Sequence, residues 1–272
     1  MTITQSSEEL HVALARRAAD QLLANGWRHP DAALIGALAD PARWSSCREL
    51  LERLDAEVAA KLDGLRSGLP IPVEERTGDS VALLTSLCAA YVRLFGHAVR
   101  SKCPPYELEY GRTEIIQQAA ELADIAGFYS AFGLEMNEAS FERVDHVATE
   151  CEFISVLCAK EARAIATDDG SLLESCFDAE RSFLRDHLAR WLPAFTHRVR
   201  EADGDGFYAA LAEFSAHWIG HECRHSEIGQ GPQLMELTLA DPGRDAEISC
   251  ESIGAGGEQL VQIGFDLPHE TG

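Results

Sequence analysis

From about residue 7 to residue 225, apolar residues recur at the three- and four-residue spacing of a helix, and no run alternates with the two-residue period of a strand. Leu10, Leu14, Ala18 and Leu22 form the first stripe. Ser6 and Glu9 read as its capping box and Gly26 as its stop. A short helix follows from Asp31 to Ala39, closed by Asp40-Pro41, and another runs through Arg48 to Leu62. The strongest stripe is Leu84, Leu87, Tyr91, Leu94, Phe95 and Ala98, within a helix from Ser80 to Val99. Further helices are expected over Thr113–Phe132, Ser140–Ala166, Ser171–Arg200 (kinked or broken before Pro193) and Asp205–His225. The fold class is therefore all-α, with one multi-helix domain over residues 1–225.

Two stretches interrupt this pattern. Residues 64–79 contain glycine, two prolines and mixed charges. They read as a loop and a candidate hinge between an N-terminal lobe (1–63) and the main body. From residue 226 to 272 the chain turns acidic and holds eight of its 21 glycines, so this tail is expected to be largely mobile. Within it, Leu234–Leu239 and Leu260–Phe265 are apolar enough to pair as strands or to dock on the helices.

Acidic residues outnumber basic ones 45 to 23, giving a formal net charge of -22. Such a charge repels nucleic acid and anionic membranes and draws in a basic partner over long range. No run of about 18 apolar residues escapes interruption by charge, so membrane insertion is not expected. The N-terminus lacks the basic and apolar regions of a signal peptide. The eight cysteines are scattered with no Cys-x-x-Cys pair, and five (Cys88, Cys151, Cys158, Cys176, Cys223) fall in predicted helices. A reducing compartment is expected, most simply the cytoplasm.

Enzyme signatures are missing: there is no Gly-rich phosphate loop, no Gly-x-Ser-x-Gly elbow and no His-Glu-x-x-His. No catalytic residue and no cofactor is therefore assigned. His217, His221 and His225, four apart on one helix, are the best metal candidates. Three such residues span two turns and do not reach one tetrahedral ion, and at a helix C-terminus they suit the dipole. They are read as structural, with a helical metal-binding protein kept as the alternative and a plain acidic scaffold or adaptor as a third reading.

Glu142, Asp145 and His146 share a face if the segment is helical, with Glu150 one turn on. Carboxylates around an imidazole favour its charged form, and they can receive guanidinium groups through charge-assisted hydrogen bonds. The plainer reading is a solvated acidic face. Tyr91, Leu94 and Phe95 belong to the core. Between these two segments lies Cys103-Pro104-Pro105-Tyr106-Glu107-Leu108-Glu109-Tyr110-Gly111, a rigid loop with aromatics and carboxylates. It suits either a helix connection or the wall of a peptide groove.

In their order and spacing these segments resemble the TorD/DmsD/NarJ family of molybdoenzyme maturation chaperones. One family signature, aromatic-x-x-Leu-Phe, is present as Tyr91-Val92-Arg93-Leu94-Phe95. The other, Glu-Pro-x-Asp-His, appears as Glu142-Arg143-Val144-Asp145-His146, with Arg143 where the family usually has proline. The loop at Pro104-Pro105-Tyr106-Glu107 is similar to the family's proline-aromatic-acidic loop. Cys151–Leu157 with Glu161, then Phe183, His187-Leu188 and Trp191, continue the likeness over about residues 80–220. Arginine at 143 also allows the helix to begin earlier and part of the acidic patch to be neutralised.

The resemblance implies an all-helical chaperone that binds the precursor of a DMSO reductase-type catalytic subunit, often through a twin-arginine leader, until its molybdenum cofactor is inserted. On that basis Glu142, Asp145, His146, Glu150, Pro105, Tyr106, Glu107 and Tyr110 are expected to bind the peptide. Arginine pairing would supply orientation and on-rate, and an apolar groove most of the affinity. Replacing Asp145 and His146 by alanine is expected to weaken binding while sparing helicity. Loop 64–79 is long enough for helix exchange between two copies, which leaves both a monomer and a homodimer open.

Overall fold

A computed structural model describes residues 3–69, 80–96, 101–111, 115–137, 142–238 and 260–262. Ten α-helices dominate these described residues, and the chain is all-α. The first helix, α1 (Ile3–Trp27), begins ahead of Ser6, which is therefore not its cap. Gly26 does not stop it either. A Cβ there would lie 2.9 Å from the Leu211 side chain, so the glycine lets α1 pass close to α10 (Phe207–His225).

The Asp31 carboxylate caps α2 (Ala32–Ala39), accepting the Leu34 N–H at 2.7 Å. The helix expected over Arg48–Leu62 is in fact two, α3 (Pro41–Leu54) and α4 (Ala56–Ser67). Asp55 separates them with extended backbone, and its carboxylate accepts the N–H groups of Glu57 and Val58. Because α4 runs on to Ser67, the loop starts later than residue 64, and residues 70–79 lie outside the described set.

Next come α5 (Ser80–Phe95) and α6 (Ile115–Ala131). The long α7 (Val147–Thr167) starts at Val147 rather than at Ser140. The cause is pairing with the preceding loop. Val147 N–H donates to the Pro105 carbonyl at 2.9 Å and Glu107 N–H to the Asp145 carbonyl at 3.0 Å, making an antiparallel bridge between Tyr106 and His146. Extended pairing and helix compete for the same backbone groups, and here the pairing wins.

After α8 (Gly170–Phe183) the backbone widens into a π-helical segment, Leu184–Leu188, before α9 (Ala189–Asp203). The irregularity expected at Pro193 is thus upstream of it, and the proline itself sits inside α9.

The core forms where α1 lies along α7, with α8 also packed on α7 and α9 against α10. Buried Ala15, Ala19, Leu23 and Trp27 on α1, and Ala148, Cys151, Ser155 and Cys158 on α7, include many small residues, which let helices approach closely. Arg16 is fully buried among α7, α8 and α10. Its guanidinium reaches Glu161 at 3.0 Å, Glu180 at 2.6 Å and Glu222 at 2.7 Å. The seven described cysteines carry free thiols. Among the described residues no helix is long and apolar enough to cross a membrane.

Residues 226–238 lie against the helices. Gly231 N–H donates to the Ala189 carbonyl at 3.0 Å, Arg198 holds the Met235 carbonyl at 2.8 Å, and Leu237 bridges Tyr110 in antiparallel fashion. Farther on, β2 (Leu260–Gln262) pairs antiparallel with β1 (Leu134–Met136), which follows α6. The two apolar stretches therefore dock on separate partners rather than on each other. The remainder of the tail, 239–259 and 263–272, is outside the described residues.

Candidate functional site

Loop 101–111, the signature-bearing turn at 142–146 and the post-helical strap meet beside the N-terminus of α7. Loop 101–111 lies between the turn at 142–146 on one side and residues 234–238 on the other. Thr238 N–H donates to the Glu109 carbonyl at 2.9 Å and Gly111 N–H to the Glu236 carbonyl at 2.8 Å. The Thr238 hydroxyl also binds the carbonyls of Leu108 and Gly111, at 3.1 and 2.6 Å. Three segments, of which one carries a single 3-10 turn at Glu107–Glu109, are thereby fixed to one another.

All eight expected site residues gather here, but most are inside rather than on a solvated face. Asp145, His146, Glu150, Glu107 and Tyr110 are fully buried, Pro105 is buried, and only Tyr106 and Glu142 are half-buried. Nor do Glu142, Asp145 and His146 share a helical face, since all three precede α7.

His146 is the N-cap of α7. Its Nδ1 accepts the Ala148 N–H at 3.1 Å, which leaves the proton of the neutral ring on Nε2. Glu142 Oε2 lies 3.7 Å from that nitrogen. Burial depresses the His146 pKa below the ordinary histidine value. The carboxylates of Glu142 and Asp145 oppose that shift, while Arg28 and Arg143 add to it. The charged imidazole expected from its neighbours is therefore replaced by a neutral one.

Asp145 accepts the Leu108 N–H at 3.2 Å and a two-pronged contact from Arg143. Glu107 is held by Arg190 and by His187 Nδ1 at 3.2 Å, while His187 Nε2 faces Asp124 at 3.2 Å. Burial alone would lower His187, but carboxylates on both ring nitrogens raise it above the ordinary value. Beneath them lies Glu150, hydrogen-bonded by Trp191 Nε1 at 3.0 Å. Burial and the adjacent Glu107 push its carboxyl well above the usual range, against the pull of the Trp191 hydrogen bond. Tyr110 packs its ring on Trp191, with centroids 5.1 Å apart.

The chain's own cations thus satisfy much of this acidic cluster. The sequence reading did not pair Glu107 with His187 and Arg190, although those two stand three apart and face one way on a helix. At the surface the site shows Tyr106, whose hydroxyl donates to Glu142 Oε2 at 3.3 Å, with Glu109 and Arg143 beside it.

A second feature lies between α1, α2 and α3. An apolar cleft of about 580 Å³ is lined by Leu14, Leu22, Leu34, Leu38, Trp44 and Leu50 among others, with Arg17 and Arg43 also on its wall.

The histidine row does not converge on one point. His217 Nε2 lies 3.3 Å from Glu57, and His221 Nδ1 lies 3.3 Å from Asp55, so two members have separate carboxylate partners. Among the described residues the set of ligand-type groups drawn within 4.8 Å of one another is Cys158, Glu161 and Glu180. There the Arg16 guanidinium already supplies the cation.

Comparison with known proteins matches the profile of the nitrate reductase delta subunit family to residues 51–197. A selenate reductase assembly chaperone protein of Thauera selenatis is 35% identical over 130 residues, covering 47% of this chain and 61% of the relative. A chlorate reductase assembly chaperone protein of Ideonella dechloratans is 34% identical over 125 residues, covering 46% and 58%. A perchlorate reductase assembly chaperone protein of Dechloromonas aromatica is 27% identical over 216 residues, covering 78% and 90%. The chain thus spans about three fifths of the length of the first two relatives.

Proposed function

The chain belongs to the nitrate reductase delta subunit family, the TorD/DmsD/NarJ family whose motifs it carries, and from that premise we propose that it is an assembly chaperone for the catalytic subunit of a molybdenum-dependent reductase. It binds the unassembled subunit in the cytoplasm, through an N-terminal leader and parts of the apoprotein, and releases it once the molybdenum cofactor is in place. It performs no chemistry on its client.

One observation carries this reading. Hydrogen bonds fix loop 101–111, the 142–146 turn and the 234–238 strap into one frame, and that frame presents Tyr106, Glu109 and Glu142 at the surface. A preorganised surface of aromatic and carboxylate groups binds a flexible basic segment with little ordering cost on its own side. The cleft beside α1 offers a place for apolar residues of the same client, where most of the affinity would arise. The names of the relatives, all reductase assembly chaperones, agree with it.

The test is retrieval. A tagged chain, expressed with candidate reductase catalytic subunits lacking cofactor, should retain one of them and should bind its N-terminal peptide in calorimetry. Retention of none, with no peptide binding, would overturn the reading.

A further inference from the structure

Arg143 stands where the family pattern usually has proline, and its side chain makes contacts that proline could not. Its Nε donates to Asp145 Oδ1 at 2.8 Å and its Nη2 to Asp145 Oδ2 at 2.6 Å, a parallel fork. Nη1 reaches Glu109 Oε1 at 3.5 Å, and Cζ lies 4.5 Å from the centre of the Tyr106 ring. Two carboxylates and an aromatic face around one planar cation are the chemistry of guanidinium recognition.

The receptor is held independently of its occupant. Asp145 is anchored by the Leu108 N–H, and Tyr106 by its bridge to His146 and its hydroxyl on Glu142. Arg143, by contrast, keeps 36% of its side chain exposed over a carboxylate that is fully buried. The guanidinium is the outer cover of the site and can swing into water without moving the frame.

We propose that Tyr106, Glu109 and Asp145 form a guanidinium-binding site whose resting occupant is Arg143 of the chain itself, and that an arginine side chain of the client exchanges for it. The client's identity rests on the chaperone reading above; the site does not. A resident arginine on a short tether competes at an effective concentration in the millimolar range. A free arginine therefore loses to it. An arginine on a polypeptide already held by another contact has a comparable effective concentration and can win. Arg143 thereby makes the site selective for clients that engage the chain at a second place.

The probe is N-acetyl-argininamide, added to wild type, Arg143→Ala and the double variant Arg143→Ala/Asp145→Asn. The single variant should bind the probe at least about ten-fold more tightly than wild type, and the double variant should lose that gain. Equal affinity in wild type and Arg143→Ala overturns the proposal. Should Arg143→Ala fold poorly, recovery of its structure by the probe, but not by N-acetyl-lysinamide, supports the site; failure of both to restore it overturns it. The two readings fail separately. Probe binding with no reductase subunit retrieved removes the chaperone but keeps the site, whereas retrieval with no probe effect removes only the site.

Discussion

The amide of Gly231 donates to the carbonyl of Ala189 at 3.0 Å, and that acceptor is free because the residue four places on, Pro193, has no N–H to fill it. An interior proline would ordinarily leave a buried carbonyl unsatisfied. Here the post-helical strap supplies the missing donor. From that anchor the strap continues to Met235 and Leu237 and closes on loop 101–111. An imperfection in α9 thus becomes the attachment point that holds one wall of the candidate site.

Only glycine fits this position, because a Cβ on residue 231 would lie 2.0 Å from the Arg190 carbonyl oxygen. Gly231→Ala is expected to detach the strap and cost about 2 kcal/mol, the loss of one buried hydrogen bond plus the steric shift. Urea denaturation measures the cost. Hydrogen exchange at the amides of Gly111 and Thr238 should accelerate with it. Unaltered protection at those amides would show that the strap is held elsewhere.

Client binding should depend on the half-buried members of the frame. Tyr106→Leu and Glu142→Gln are each expected to weaken leader-peptide binding by about ten-fold, roughly 1.4 kcal/mol, with little change in stability. Asp145→Ala and His146→Ala are poor probes, because both side chains are buried and bonded. The first leaves the buried Leu108 N–H without its acceptor, costing about 1–3 kcal/mol. The second removes the cap of α7, costing about 1 kcal/mol. Calorimetry and melting curves on the four variants separate binding from folding, and an exposed-variant pair that binds normally would move the client surface away from this frame.

The all-α class and most helices were legible because their signal is periodic and local. The errors fell where a nonlocal contact decides. Asp55 splits a helix by capping its second half, and Gly26 serves a neighbouring helix instead of ending its own. The segment at 142–146 has helical spacing but pairs with a loop some 40 residues earlier in the chain, which no window of sequence reveals. The residues expected at the site do cluster, but their burial was not legible, since the partners of Glu107 come from the π-helical segment and α9, 80 and 83 residues on. Arg16 and Asp20 could have been read as inward-facing: with Leu23 and Trp27 they follow a spacing of four, three and four. Charge at those positions masked the stripe.

Two histidines of the same frame should titrate on opposite sides of the ordinary value. His146, buried and capping α7, lies below it; His187, between Glu107 and Asp124, lies above it. For His187 the stabilising contribution is complete below the unfolded value of about 6.5 and is lost as pH rises through the raised folded value. For His146 the dependence is reversed, and stability declines as pH falls below about 6.5. Imidazole chemical shifts across this range would resolve both, and a His187 that titrates below His146 would contradict the assigned contacts.

The cluster around Arg16 sets the chain's response to alkali. One guanidinium faces Glu161, Glu180 and Glu222, with Asp20 close by under Trp218 Nε1 at 2.8 Å, so buried acids outnumber the buried cation. Burial, with Glu180 and Glu222 alongside and against the pull of Arg16, pushes Glu161 up to about 8. Burial likewise raises Glu180 and Asp20. Between the unfolded glutamate value of about 4.5 and about 8, the folded chain holds protons that the unfolded chain releases. Stability contributed by these acids is therefore complete below that window and lost as pH rises through it. Glu161→Gln, which cannot ionise, should flatten the decline in urea midpoint across the window. Arg16→Met should cost about 3–5 kcal/mol, because it leaves buried carboxylates with no cation, and its loss should deepen as pH rises. A wild-type midpoint that climbs from pH 6 to 8, with Glu161→Gln following it in parallel, would mean that these acids are ionised throughout and that Arg16 alone balances them.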